Sequence, residues 1–374
     1  MNAAFKKRLK TWLLIALVCL GIHDLMLALA VIINTGSFSW SAFRELAVSR
    51  LTQPGDATWY LDIAQNGYAK DGEKAIALVF YPLYPMLMRL LGFVTGDLAL
   101  AGQIISRVSY CAASILLYEL ILLDGTERQA WDGVLLMALY PYSMFVLGVF
   151  TEGLFLALTI GGLLAIRKRK FIAAGILGFL AALTRTQGML LAFPAVYALI
   201  TARLGGEKRK IKWSDASVLL IPAGFGVYLF INYALHGNPF QFLIYEAGEP
   251  WYQSTRWVGD NIAQHYHMAL DYEGLSLFIY WVQIALYFLT LGVLAYGLYK
   301  KEKTMYLLYG GVYLGFTYLS GWMISGGRYM LCCVPTYIVL SRLKEGPVRK
   351  LLMAAAGFLF FAYSLFYLRS YAIM

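Results

Sequence analysis

Charge is what this sequence has least of. Only 14% of its 374 residues are Asp, Glu, Lys or Arg, and 60% are hydrophobic. A soluble domain carries about 25% charged and about 45–50% apolar residues, so a water-soluble globule is excluded. Mean hydropathy is +0.63. Cysteine is scarce as well. The four present, Cys19, Cys111, Cys332 and Cys333, lie inside apolar runs, at no spacing that suits a metal site or a secreted disulfide framework. Missing too is any internal repeat of the kind that builds many transporters. What the chain does have is apolar runs of about 20 residues, separated by short charged punctuation, rather than alternating segments of about 10. Helices that satisfy their own backbone in hydrocarbon are the outcome.

The net charge of +10 could point to nucleic acid. In a membrane protein, however, Lys and Arg collect in cytoplasmic loops through the rules of insertion, and no nucleic-acid partner is expected. The N-terminus reads Lys6-Lys7-Arg8-Leu9-Lys10 before an apolar run over 11–33. That run is longer than the core of a cleaved signal peptide, so an uncleaved signal anchor is expected.

The pattern predicts an all-α polytopic bundle of about eleven transmembrane helices in one domain, 1–374. The expected spans are 11–33, 98–123, 131–147, 150–166, 171–184, 188–202, 215–235, 275–299, 304–323, 328–341 and 350–368. With the basic N-terminus inside, the connections at 124–130, 167–170, 203–212, 300–303 and 342–350 fall inside as well. Every strongly basic cluster then lies on one side. Two long segments, 34–97 and 236–274, are left to the outer side. Both are rich in Trp, Tyr and Phe with scattered acids, the composition of a packed cap or of helices lying in the interface.

Charges in or beside spans are costly and mark candidate sites. Outside the cytoplasmic clusters these are Asp24, Asp56, Asp62, Arg89, Arg107, Glu119, Glu152, Arg185, Glu246, Glu249 and Arg328. Glu152 and Arg185 occupy minimal outer turns, and Arg328 opens the tenth span. One acid and two arginines from three hairpins therefore share a leaflet with 34–97, which reads as a polar cavity opening outward. An arginine fork grips phosphate without losing its charge, and two of them in the outer leaflet suit a lipid-phosphate headgroup. Asp24 and Glu119 lie deeper and read as structural pairs inside the bundle. Glu246 and Glu249 read as solvated surface. His265 and His267 have a metal-compatible spacing but no evident carboxylate or cysteine partner, and no metal is assigned there. Pro54-Gly55-Asp56-Ala57 is also a plausible turn, with Asp56 capping a helix.

The most specific stretch is Gly55-Asp56-Ala57-Thr58-Trp59-Tyr60-Leu61-Asp62-Ile63-Ala64-Gln65-Asn66-Gly67-Tyr68, followed by Phe80-Tyr81-Pro82-Leu83-Tyr84-Pro85. It resembles the first outer loop of the GPI mannosyltransferase II (PIG-V-like) family and its bacterial relatives, within the GT-C class of membrane glycosyltransferases. Further matches follow in order: 141–155 with Thr151-Glu152, Leu183-Thr184-Arg185-Thr186-Gln187-Gly188, Gly237-Asn238-Pro239-Phe240 with Trp251, and Gly327-Arg328-Tyr329 with Pro335. The resemblance runs from about residue 50 to 340. Gly55 stands where the family usually has Trp, and Gln187 where Asn is common; the sugar and the acceptor stay open.

The resemblance implies an inverting transfer of a hexose, mannose for preference, from a polyprenyl-phosphate sugar to an acceptor hydroxyl on a glycolipid, wall polymer or protein. It implies Asp56 as general base, with Trp59 and Tyr60 walling the site and raising its basicity by desolvation. Arg185, Arg328 and, less centrally, Arg89 would hold the donor phosphate. Glu152 would either orient an arginine or contact the sugar, and Tyr81 and Gln187 would join Trp59 and Tyr60 in contacting substrate. No cofactor or metal is required, although a carboxylate-bound divalent cation is compatible. The compact length and the lack of an evident retention tail favour a bacterial plasma membrane, with the site facing outward. The alternatives are a transporter or flippase for a lipid-linked saccharide, and a non-catalytic scaffold.

Overall fold

The computed structural model describes residues 3–52, 55–204, 212–271, 277–321 and 325–369. Among these there is no β-strand, only an isolated bridge between Thr255 and Ser320. Among the described residues, five helices are long and apolar enough to cross a membrane: Phe5–Thr35, Leu98–Leu122, Trp213–His236, Ile279–Tyr299 and Pro347–Leu368. The shortest has 21 residues, which at about 1.5 Å rise per residue spans about 30 Å, the thickness of the hydrocarbon core.

The other six expected spans are helical but short. They appear as Glu127–Ala138, Glu152–Arg167, Phe171–Ala182, Ala192–Leu204, Thr304–Thr317 and the broken pair Gly326–Leu331 and Val334–Ser341. Among the described residues, helix length alone supports five crossings, or six if the bent pair Glu73–Val79 and Leu83–Thr95 counts as one, and does not confirm eleven. The shortening has local causes. Arg185 adopts an extended backbone (φ −156°, ψ 149°) that breaks the chain between Phe171–Ala182 and the 3-10 turn Thr186–Leu191. Pro335 sits in the first turn of Val334–Ser341, where its missing N–H costs nothing.

The charged ends sort as the basic clusters predict. Asp124 receives Arg167 at 2.7 Å and Lys303 at 3.3 Å; Arg342 reaches Glu302 at 3.0 Å; Arg349 reaches Asp132 at 2.7 Å. Glu119 is bound by Arg8 and by the Trp12 indole, which ties the N-terminal helix to the same end. Four of the five basic connections thus meet on one face. Most of the fifth, 203–212, lies outside the described residues.

The segment 34–97 holds four helical pieces: Trp40–Leu51, Asp56–Asn66, Glu73–Val79 and Leu83–Thr95. Leu83–Thr95 packs on Leu98–Leu122 and turns Met86, Leu90, Phe93 and Val94 outward, an apolar face suited to lipid. Behind it, Glu152–Arg167 lies close against Leu98–Leu122. A Cβ on Gly153 would stand 2.7 Å from the Ser106 carbonyl oxygen. Small residues permit such backbone approach between membrane helices.

Candidate active site

Asp56 begins the helix Asp56–Asn66, preceded by Gly55 at φ 57°, a left-handed conformation that favours glycine. Gly55, not Asp56, is the capping residue, and no side chain caps this end. The Asp56 carboxylate is directed elsewhere. Its Oδ2 accepts from Arg328 Nη1 at 2.7 Å, across 272 residues of chain. Arg328 Nε donates to Glu152 Oε1 at 2.9 Å. The same Glu152 oxygen lies 3.4 Å from Arg185 Nη1. Two acids and two arginines from four separate segments form one chain of charge.

Burial grades this chain. The side chains of Glu152 and Arg328 are 0% and 3% exposed, Arg185 is 12% and Asp56 29%. Aromatic rings complete the enclosure. The Arg328 guanidinium lies 4.6 Å from the Phe145 ring centroid and 4.9 Å from that of Phe150, and Arg185 lies 4.7 Å from that of Tyr329. Cation–π contacts of this kind gain strength when desolvated. The close fit extends to the backbone: a Cβ on Gly327 would meet the Tyr142 ring at 2.2 Å.

Above this floor is a cavity of about 590 Å³, lined among others by Asp56, Tyr60, Tyr81, Arg185, Gln187 and Arg328. Two segments meet around it. The Tyr81 hydroxyl bonds Thr186 Oγ1 at 2.5 Å, and Leu83 N donates to the Leu183 carbonyl at 3.0 Å. These bonds fasten the 80–85 motif to the 183–188 turn. Tyr81 also stacks on Tyr228, with centroids 4.0 Å apart. The helix Gln241–Ala247 and Trp251 close the other side.

Most of the sequence-predicted residues come together, with four corrections. Arg89 is exposed and donates to the Gln65 carbonyl at 3.3 Å, away from the cavity, so the structure does not place it with the other arginines. Trp59 stands one layer back, stacked on Phe80 and tilted against Trp251; Phe80 and Trp251 form the wall itself. Glu246 is not simple surface. It is partly buried and lines the cavity, and burial pushes its carboxyl up to about 7.

Glu152 lies beneath the cavity rather than on it, where it joins the two arginines. Residues not singled out from sequence include Tyr329 under Arg185 and Phe145 and Phe150 over Arg328. Only the abundance of aromatics near the motifs could have signalled them.

The remaining candidates lie outside the cavity. Asp24 receives both Arg107 amino groups at 2.8 and 3.1 Å. His265 is buried, with Nδ1 2.8 Å from the Asn261 carbonyl, whereas His267 is exposed. Two residues apart on one helix, these histidines face different ways. Among the described residues no cluster of three His, Cys, Asp or Glu side chains is arranged to hold a metal.

No protein-family model matches the chain. A curated relative, GPI mannosyltransferase 2 of Schizosaccharomyces pombe, is 26% identical over 244 residues, 59% of this chain and 51% of the relative. The chain thus spans about half the length of that protein. Among solved structures, the oligosaccharyltransferase of Archaeoglobus fulgidus in its apo form superposes with a TM-score of 0.53 at 15% identity, covering 94% of this chain and 56% of that one. The same enzyme tethered to an acceptor peptide gives 0.50, again at 15% identity, covering 94% and 55%. In sequence the chain is similar to a protein named GPI mannosyltransferase 2, and in fold it is similar to an oligosaccharyltransferase.

Proposed function

We propose that this protein is a membrane glycosyltransferase that moves a hexose, mannose for preference, from a polyprenyl-phosphate sugar to an acceptor hydroxyl. The sequence relative is named a mannosyltransferase, and the fold is shared with an oligosaccharyltransferase. The observation that carries the reading is Arg185. It lines the 590 Å³ cavity with a guanidinium that is only partly engaged by Glu152, whereas Arg328 is held on both sides by carboxylates. Arg185 therefore keeps guanidinium donors for a ligand.

The chemistry follows from the bonds that must change. The acceptor oxygen attacks the anomeric carbon, and the bond from that carbon to the phosphate oxygen breaks. Its electron pair departs with the polyprenyl phosphate. The leaving group gains charge as a diester becomes a monoester, and Arg185 meets that charge in a preorganised, desolvated setting. Attack opposite the phosphate inverts the anomeric centre. The hydroxyl proton passes to a carboxylate of the cavity, the part the family resemblance gives to Asp56.

Glu152, beneath the cavity, and Arg167, in a basic connection, stand at opposite ends of one helix, which under the positive-inside rule supports a non-cytoplasmic cavity. A polyprenyl donor lying in that leaflet could enter with its tail still in lipid. The test is sugar transfer by the purified protein from radiolabelled polyprenyl-phosphate mannose or glucose to a crude membrane acceptor pool. Labelled product is expected with the mannosyl donor. Donor that is relocated across a bilayer but never consumed overturns the reading.

A further inference from the structure

The two sides of the cavity differ in chemistry. Arg185 and Arg328, with Asp56, occupy one. The other is built from 240–255 and 316–320, and no lysine or arginine stands among the described residues that line it. It presents Glu246, Gln253 and the ring of Trp251 instead. We propose that this side is a sugar-binding subsite, in which Trp251 packs on a face of the donor hexose while Glu246 and Gln253 read its hydroxyls. The assignment rests on the transferase reading above and leaves proton removal where that reading puts it.

Backbone bonds bring the three residues together. Gln253 N donates to the Glu246 carbonyl at 2.7 Å, and Trp251 N to the Gly248 carbonyl at 3.1 Å, so the chain doubles back after the helix Gln241–Ala247. The returning segment is pinned beside the end of the helix Thr304–Thr317. Arg256 N donates to the Leu319 carbonyl at 2.8 Å, and Gly321 N to the Ser254 carbonyl at 2.6 Å. The Trp251 ring stands edge-on to Phe80, with centroids 5.9 Å apart, and 6.0 Å from Trp59.

Polar atoms are left for a ligand. Glu246 is partly buried, and among the described residues no cation or hydrogen-bond donor engages its carboxylate. Ser320 Oγ donates to Gln253 Oε1 at 3.4 Å, and among the described residues no acceptor takes the Gln253 amide N–H groups. A carboxylate that accepts and an amide that donates together suit hydroxyls, each of which does both. A pyranose also has an apolar C–H face, which an aromatic ring covers without leaving a polar group unmet. A phosphate would meet an acid here and no cation, and a lipid chain would bury that acid against hydrocarbon. The phosphate therefore goes to Arg185, and the hexose bonded to it turns its hydroxyls to this side. A site that hydrogen-bonds a hydroxyl rejects the analogue lacking it, because its own polar group is then left unpaired.

The test measures binding to the full-length protein in detergent with no acceptor present. The probes are polyprenyl-phosphate mannose, its forms deoxygenated singly at each hydroxyl, and polyprenyl phosphate alone. Glu246→Ala should weaken the mannosyl donor by about 10- to 100-fold, the range for a hydrogen bond to a charged group, and Gln253→Ala by about 3- to 10-fold. Glu246→Gln, which keeps an accepting oxygen, should bind better than Glu246→Ala. Polyprenyl phosphate should bind all of these variants as it binds the wild type. One deoxy donor should lose nothing further on Glu246→Ala, since the partner hydroxyl is already gone; a general loosening of the fold gives no such coupling. The proposal is overturned if both alanine variants bind the mannosyl donor like the wild type, if they lose polyprenyl phosphate by the same factor, or if every deoxy donor is weakened equally. Transfer is read separately: a wild type that binds mannose through these residues yet transfers none sinks the transferase reading and leaves the subsite standing.

Discussion

Arg328 and Glu152 meet at 2.9 Å with almost no exposure to solvent, and each carries a second partner, Asp56 for the arginine and Arg185 for the acid. Neither charge can be removed without orphaning another in a dry setting. Glu152→Ala leaves Arg185 without an acid and Arg328 with one acid in place of two. Breaking a buried pair from one side costs about 3–5 kcal/mol. A fall of that size in unfolding free energy, read from thermal or denaturant melting in detergent, is expected. The double variant Glu152→Leu with Arg185→Met should recover part of it, since Arg328 and Asp56 then remain as a complete pair.

Arg185 can be separated from Arg89 by the same assay. Arg185 lines the cavity beside Tyr329, whereas Arg89 is exposed and reaches only a backbone carbonyl. Arg185→Ala should lower turnover by about 10²- to 10³-fold, the effect of removing one donor from a preorganised charge-stabilising site. Arg185→Lys should not restore it, because an ammonium lacks the planar fork and the stacking on Tyr329. Arg89→Ala should transfer sugar at close to the wild-type rate. Equal losses from both alanine variants would return Arg89 to the site.

How much of this was legible in the sequence depends on what kind of signal each feature leaves. The five long helices follow from apolar runs alone, and the shared face of the basic loops follows from charge. Asp56, Arg185 and Arg328 stood out because charge is scarce near spans, and they do converge. The interruption of the other six spans was not visible. Leu183-Thr184-Arg185 is apolar enough to read as a span end, but its extended backbone depends on contacts with the 80–85 motif, about 100 residues away. Glu246 was misread for a similar reason. A glutamate in a loop looks solvated until the walls that desolvate it come from other parts of the chain.

Glu246 also gives a stability signature that needs no substrate. Its carboxyl is raised from 4.5 to about 7 in the folded protein. Between those values the folded state keeps a proton that the unfolded chain has released, so stability falls as pH rises across that window and levels off above it. The wild type should therefore lose melting temperature, relative to Glu246→Gln, as buffer pH is raised from about 4.5 to about 7. Parallel curves for the two proteins would show that the carboxyl is not desolvated.

Asp24 and Arg107 lie far from the basic face, on the two long helices Ala3–Thr35 and Leu98–Leu122, joined by two hydrogen bonds. Arg107 is nine residues into its helix, about 13 Å along the axis from its start and so well inside the hydrocarbon. Both side chains are partly exposed, at 26% for Arg107 and 40% for Asp24. A charge left alone at such depth costs about 2.5–3.5 kcal/mol. Arg107→Met should accordingly destabilise the protein by about that amount in lipid nanodiscs. Asp24→Asn with Arg107→Met should cost less, because it strands no charge. The double variant also separates two functions for the pair. If Asp24 carried protons for a transporter, its loss would abolish substrate movement even in a well-folded protein. If the pair only joins two helices, the double variant should transfer sugar at the wild-type rate once its folded fraction is matched.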